Sequence, residues 1–266
     1  MSVVTTSNIG SILKVSLSSA PVNALSRPVI SGLREAVAGA NRKGSGVTGI
    51  LLSSSLPKVF SAGLDLSELI VHNQAKNTRD SVNSYIGSFQ MLVRELSGSH
   101  VPTAAVVHGA TPAGGTVLAF CTDYKVASSA QVGQFRMGLN ETRVGLAPPL
   151  WLHELARLNL HSARLADRLV QLGHLCASPD EALRHGFLDA VLPNATPDSL
   201  EARAVEELSL LAGIPWHARV SAKMGARMEL LRLLDSNGTE EMVECIVGEE
   251  FQEVTGALLA SLKKKK

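Results

Sequence analysis

Cysteine is scarce in this chain. The three present, Cys121, Cys176 and Cys245, are far apart, odd in number and without paired metal-site spacing. They argue for a reducing compartment and against a disulfide framework. An excess of charge of one sign is also lacking. With 25 Lys and Arg against 24 Asp and Glu, the formal net charge is +1, which excludes an extended nucleic-acid footprint. The one concentrated charge, four lysines at 263–266, reads as a solvated tail rather than a lipid- or phosphate-binding element. No apolar run approaches the ~18 residues of a membrane span. The N-terminus shows neither a secretory signal pattern nor an Arg-rich transit peptide, so secretion is not expected.

Familiar catalytic motifs are missing too. There is no G-x-S-x-G nucleophile elbow and no phosphate-binding Walker loop. The eight histidines show no H-E-x-x-H or paired spacing, so no metal site is expected. Gly44, Gly46 and Gly49 fit G-x-G-x-x-G, but the stretch precedes a strand instead of following one, which excludes the dinucleotide reading.

What is present is the material of a filled core: 266 residues, 45% hydrophobic and 18% charged. Residues 12–17 alternate like a strand. A turn at 21–26 leads into a helix with Ser26 as N-cap and Pro28 in its first turn, and Val29, Leu33, Ala36, Val37 and Ala40 recur at helical spacing. Residues 47–53 are apolar nearly throughout, as in a buried parallel strand. The order repeats with a strand at 103–107, a helix from Gly114 and a strand at 124–127, so the fold class is α/β. After Pro149 helices dominate, at 151–158 and 162–172. Ser178-Pro179 is a strong helix start, and that helix stops at Gly186 before a short strand at 190–192. Long helices are predicted over 197–213, 215–235 and 239–262. In the last, Met242, Cys245, Ile246, Phe251, Val254, Leu258 and Leu259 form an apolar face that either covers the sheet or meets another subunit.

One stretch carries the chemistry. The strand at 103–107 leads to Pro112, Gly114 and Gly115 and then to the start of a helix. Glycines let backbone approach a ligand, and the first amides of a helix suit a developing anion. Glu141 is the only carboxylate between Asp123 and Glu154. A second loop of small residues, Ala62 and Gly63, could supply another amide, and two amides on one oxygen make an oxyanion hole. In the same loop, Asp65 with Glu68 reads as a capping-box variant rather than a catalytic pair. His108 reads as structural. Ser61 beside the small-residue loop invites a serine hydrolase, but no Ser-His-Asp spacing supports it.

Phe60-Ser-Ala-Gly-Leu-Asp-Leu, Pro112-Ala-Gly-Gly, Cys121-Thr-Asp-Tyr, Gly138-Leu-Asn-Glu-Thr and Pro21-Val-Asn-Ala-Leu-Ser resemble the crotonase (enoyl-CoA hydratase/isomerase) superfamily. Gly-Leu-Asn-Glu-Thr is most similar to its mitochondrial Δ3,Δ2-enoyl-CoA isomerase group. The resemblance implies a crotonase-like spiral of ββα repeats over residues 1–195 and a C-terminal helical trimerisation region over 196–266. It implies an acyl-CoA ligand whose thioester oxygen accepts from the Ala62 and Gly114 amides, with Gly63, Leu64, Asp65, Leu66 and Asn140 lining the site. Glu141 falls on the acid/base position. The hydratase pattern has a second glutamate where this chain has Val117, which favours isomerisation over water addition. Coenzyme A would be part of the substrate, so no separate cofactor is implied. A homotrimer in the mitochondrial matrix is the implied setting, with a peroxisome-like organelle or the cytosol as alternatives. A hydratase, another acyl-CoA enzyme of this superfamily and a non-catalytic acyl-CoA-binding homologue are the competing readings.

Overall fold

Strands buried on both faces organise the computed structural model, which describes residues 2–71, 78–131, 135–236 and 238–263. The main sheet has six strands: β1 (Val4–Ile9), β2 (Ile12–Leu17), β3 (Gly49–Ser54), β4 (Thr103–Val106), β6 (Tyr124–Ser128) and β8 (Ala190–Leu192). Only the β1–β2 hairpin at one edge is antiparallel. On β3, Ile50 and Leu52 enter one core cluster while Leu51 between them enters the other. Ala105 and its neighbours Ala104 and Val106 divide the same way on β4. This period-two division explains why both strands read as continuous apolar runs.

Each face has its own cover. On one lie α1 (Arg27–Asn41) and α2 (Arg79–Ser97), which pack on each other. On the other lies α7 (Pro197–Ala212), whose Leu200, Ala204 and Leu208 recur every four residues along one stripe. Beside Leu208, a methyl group on Gly49 would come within 3.3 Å of its Cβ.

A second, smaller sheet turns the α/β pattern into a spiral. Its strands β5 (Ala110–Pro112) and β7 (Arg136–Gly138) are parallel, and a parallel bridge adds Val59 beside Ala110. The chain therefore makes three successive passes: β3, Val59, α2; then β4, β5, α3 (Gly114–Phe120); then β6, β7, α4 (Leu150–Asn159). Each pass places one segment in the large sheet, one in the small sheet and one in a helix. That is the ββα spiral of the crotonase fold, as expected. The segments just past Val59, β5 and β7 lie together at the carboxyl ends of parallel strands, where open α/β sheets form clefts.

The rest of the chain is α5 (Ala163–Leu172), α6 (Pro179–His185), α8 (Trp216–Ala226), α9 (Met228–Ser236), α10 (Glu240–Val247) and α11 (Glu249–Lys263). Ser178 caps α6 by accepting from the Glu181 amide, and Gly186 ends it at φ +92°. Ser26 occupies the N-cap position of α1, but its side chain makes no cap hydrogen bond.

Two long helices predicted from sequence are each broken. Between α8 and α9, Arg227 leaves helical geometry at φ −103°, ψ 9°. Its guanidinium donates to the carbonyls of Ser97, Cys121 and Thr122 and to Asp123, and this tertiary anchor overrides a continuous helical pattern. Between α10 and α11, Gly248 is extended at φ −66°, ψ 152°. The apolar face there splits in consequence. Met242, Ile246 and Phe251 are buried against their own chain, whereas Val254 and Leu258 remain partly exposed. Residues 264–266 of the lysine run lie outside the described residues.

Candidate active site

The three segments that follow the small-sheet strands enclose a cavity of about 370 Å³. Seven of the eight site residues predicted from sequence line it: Ala62, Leu64, Asp65, Leu66, Gly114, Asn140 and Glu141. Gly63 does not. It lies behind the wall, where a methyl group on it would come within 3.0 Å of the Gly114 nitrogen and 3.1 Å of the Pro112 carbonyl.

The first segment corrects the predicted oxyanion pair. Residues 22–25 run beside 62–64, and the Leu25 amide donates to the Gly63 carbonyl at 2.8 Å. In the same ladder the Ala62 amide donates to the Val22 carbonyl at 3.0 Å, so it is already engaged. Gly63, at φ +86°, turns the chain out of the ladder. The next amide, that of Leu64, has no hydrogen-bond partner among the described residues, and a methyl group on Gly114 would lie 3.2 Å from it. Leu64, two residues further on, thus replaces Ala62 as the donor that can face Gly114. Spacing alone could not distinguish them, because the difference depends on the pairing with residues 22–25.

Ser61 is not a nucleophile. It is fully buried, donates to the Asn23 carbonyl at 2.8 Å and accepts from the Gly63 amide at 3.2 Å. Asp65 caps a short 3-10 turn, accepting from the Ser67 amide at 3.0 Å and the Ser67 hydroxyl at 2.7 Å. Glu68 departs from the capping-box reading and pairs with Arg27 at 2.9 Å.

Sequence reasoning missed Tyr85, on α2. Its hydroxyl donates to the Leu25 carbonyl at 2.6 Å and accepts from the Asp65 amide at 2.8 Å, so it fixes the loop on both sides of Leu64. Burial pushes its pKa upward, which keeps the phenol protonated as a donor. Tyr85→Phe should leave the Asp65 amide and Leu25 carbonyl unsatisfied and cost about 1–3 kcal/mol. Denaturant midpoints of the two proteins check this, and an unchanged midpoint would remove Tyr85 from the loop's support.

The second segment enters α3 through Ala113, which sits at φ 49°, ψ −123°, a strained backbone for a residue with a side chain. The Gly114 amide is the first of the helix and has no internal partner. Gly115 serves differently than expected. A methyl group there would come within 2.4 Å of the Ser61 carbonyl, so this glycine lets the two loops close on each other rather than on a ligand. Buried Thr116 ties in the third segment, accepting from the Gly138 amide at 2.8 Å while donating to the Thr111 carbonyl. His108 is structural, its Nε2 lying 2.8 Å from the Leu56 carbonyl.

The third segment carries Glu141, at the start of a 3-10 turn closed by Gly145 in the left-handed region. Glu141 is 7% exposed, and its Oε2 has no hydrogen-bond partner among the described residues. Burial pushes its pKa up to about 7, into the range where a group both accepts and donates protons. Beside it, the Asn140 Oδ1 is also buried without a partner among the described residues. Unsatisfied buried acceptors are uncommon, and two adjoining ones on a cleft mark a place for an incoming donor.

The remaining wall is apolar. Val117 stands one helical turn past Gly114 and is 1% exposed. Phe89 and Trp151 pack edge to face with centroids 6.4 Å apart. Met242 from α10 and Phe251, Leu258 and Leu259 from α11 line the cavity as well. Gln252 fastens α11 over the cleft, accepting from the Val71 amide and donating to the Leu69 carbonyl, each at 2.9 Å. The C-terminal helices therefore complete the cleft. The two carboxyls on its lining differ in state. Asp65 is held by Ser67, while Glu141 is desolvated.

Spiral and cleft together define the class, a protein of the crotonase fold. The enoyl-CoA hydratase/isomerase family matches residues 7–244, and the chain belongs to it. It is similar to mitochondrial enoyl-CoA delta isomerase 1 of Mus musculus, at 36% identity over 177 residues, 66% of this chain and 57% of that one. The Homo sapiens protein of the same name is 32% identical over 221 residues, 82% of this chain and 69% of the other. The matched region thus spans under two thirds of the mouse relative's length. Among solved structures, human mitochondrial delta3-delta2-enoyl-CoA isomerase superposes with a TM-score of 0.89 at 28% identity, covering 99% of both chains.

Proposed function

We propose that this protein is a Δ3,Δ2-enoyl-CoA isomerase, converting 3-cis- or 3-trans-enoyl-CoA to trans-2-enoyl-CoA in the oxidation of unsaturated fatty acids. The observation that carries the reading is Glu141, a buried carboxyl with an unpartnered oxygen and a pKa near 7, on the same cavity as the Leu64 and Gly114 amides. The ionised Glu141 removes a proton from C2. The electron pair delocalises over C2–C4 and onto the thioester oxygen, where the Leu64 and Gly114 amides stabilise the negative charge. Protonated Glu141 then returns the proton at C4, and the double bond comes to rest between C2 and C3. Nothing is oxidised by an outside agent and no atom is gained, so coenzyme A as part of the substrate is the only cofactor chemistry needed.

Water addition needs a second group to orient the water and share its protons. Val117 offers none, and Asp65 already accepts from its own turn. Asn140, whose Oδ1 has no partner among the described residues, helps hold the acyl-CoA, together with the backbone of residues 64–66. The relatives' names support a mitochondrial setting. Assembly into a homotrimer through the C-terminal helices is supported by α8, which has no buried residue and leaves Trp216 57% exposed.

The test follows the ultraviolet absorbance of the conjugated thioester on adding a 3-enoyl-CoA. A rising signal dependent on the protein is expected. Absence of conjugation from 3-enoyl-CoAs of several chain lengths, with tight binding of the same esters, would leave a non-catalytic acyl-CoA binder. Loss of a 2-enoyl-CoA signal at a comparable rate would assign a hydratase instead.

A further inference from the structure

Away from the cleft, two histidines and a glutamate converge on the outer side of the segment that backs Glu141. His174 follows Gly173, the left-handed residue that ends α5, while Glu181 and His185 stand four apart on α6. His174 Nε2 lies 2.9 Å from Glu181 Oε1, and His185 Nε2 lies 4.0 Å from the same oxygen. One ligand atom from each of the three residues lies within 4.8 Å of the other two. The two imidazole rings lie nearly perpendicular, with centroids 5.9 Å apart. The second carboxylate oxygen of Glu181 accepts from the Ala177 amide at 2.7 Å, which fixes the carboxylate's orientation.

We propose that His174, Glu181 and His185 form a structural zinc site that clamps the segment after α5 to α6. Two imidazoles and one carboxylate are the donor set of zinc and neighbouring transition metals, whereas magnesium and calcium prefer all-oxygen shells. Bonds of about 2.0–2.1 Å to zinc place tetrahedral ligand atoms roughly 3.3 Å apart. The observed separations, 2.9 and 4.0 Å to the Glu181 oxygen and none above 4.8 Å, bracket that value. The side chains are 23–29% exposed, so an ion can enter from solvent and water can complete the shell. The amide bond to Glu181 is the kind of outer support that metal-bound carboxylates use.

The position gives the clamp a purpose. The segment it holds is bonded along its length to the catalytic segment. Cys176 and Met137 exchange amide–carbonyl bonds at 2.8 and 3.3 Å. Thr142 donates to the Val170 carbonyl at 3.2 Å and Arg143 to the Leu172 carbonyl at 3.0 Å. The His174 carbonyl lies so close to Gly138 that a methyl group there would come within 2.0 Å of it. Zinc at this site stiffens the wall against which Glu141 is set. Sequence scanning for H-E-x-x-H passed over it because its spacing is His-x6-Glu-x3-His.

The test titrates the full-length protein with zinc chloride by calorimetry and with cobalt(II) by visible absorption. One equivalent of zinc is expected to bind and raise the thermal midpoint, and cobalt should give a nitrogen- and oxygen-ligated spectrum without a thiolate charge-transfer band. His185→Ala and His174→Ala should each weaken zinc binding by more than about 100-fold, beyond the 10–100-fold typical of outer-shell partners. Because the His185 side chain is 29% exposed and stands in the last turn of α6, its variant keeps the test open should His174→Ala misfold. No binding at submillimolar zinc, a thiolate band, or affinity unchanged in His185→Ala would overturn the site. None of these readouts depends on the isomerase reading.

Discussion

Glu141→Gln is expected to lower kcat by at least about 10³-fold while leaving acyl-CoA binding intact. A single acid–base group contributes typically 10²–10⁴-fold, and here one carboxyl serves twice, taking the C2 proton and returning it at C4. The amide keeps the shape and both polar atoms, so KM should change little, and steady-state kinetics with a 3-enoyl-CoA separates the two constants. The same substitution has a second, independent signature. The Glu141 carboxyl is pushed up to about 7 by burial, well above its ordinary 4.5. Between those values the native state holds a proton that the unfolded state has released. Wild-type stability therefore falls as pH rises through that window and levels off above it, by up to about 3 kcal/mol. Gln cannot titrate. The variant should match the wild type near pH 4.5 and be the more stable of the two at pH 8. Denaturant midpoints across this range check the sign, and the wild-type kcat profile should rise with an apparent pKa near 7. Turnover by the Gln variant close to wild type would exclude Glu141 as the base.

Much of this site was legible in the residues, for a physical reason. A lone carboxylate amid apolar sequence has few fates other than burial, and burial produces the raised pKa. Helix starts marked by Ser178-Pro179 and stops marked by Gly186 were equally readable, because they act over three or four residues. What escaped was set by distant partners. The helix break at Arg227 depends on carbonyls more than a hundred residues away. Strands β5 and β7 have three residues each, too few to show a period, yet they align the functional loops. Helix α2 is the exception, overlooked although its apolar residues stand at helical spacing among polar ones. It brings Phe89 to the cleft and Tyr85 to the loop beside it. The exchange of Ala62 for Leu64 again has a distant origin. Which of two nearby amides is free depends on the segment 22–25, some forty residues earlier in the chain.

The oxyanion pair can be tested through a glycine that touches no substrate. Gly63→Ala adds one methyl group where φ is +86°, a conformation costing an L-residue about 1–3 kcal/mol. The methyl would lie 3.0 Å from the Gly114 nitrogen, 3.1 Å from the Pro112 carbonyl and 3.3 Å from the Ala113 Cβ. All three neighbours belong to one backbone turn, residues 112–114, which cannot swing aside as a flexible side chain would. Relief must come from parting the two loops, which separates the Leu64 and Gly114 amides. Losing one oxyanion donor costs roughly 2.7–4 kcal/mol, so kcat should fall about 10²–10³-fold. The donors act on charge that develops only during reaction, so kcat and kcat/KM should fall together. Gly87→Ala is the matched control. It adds the same methyl group inside α2, where nothing lies within 4 Å, and should stabilise the fold by about 0.5–1 kcal/mol without touching turnover. If Gly63→Ala lost stability but kept its kcat, the loops could part without cost to the chemistry, and the Leu64 and Gly114 amides would not be the donors.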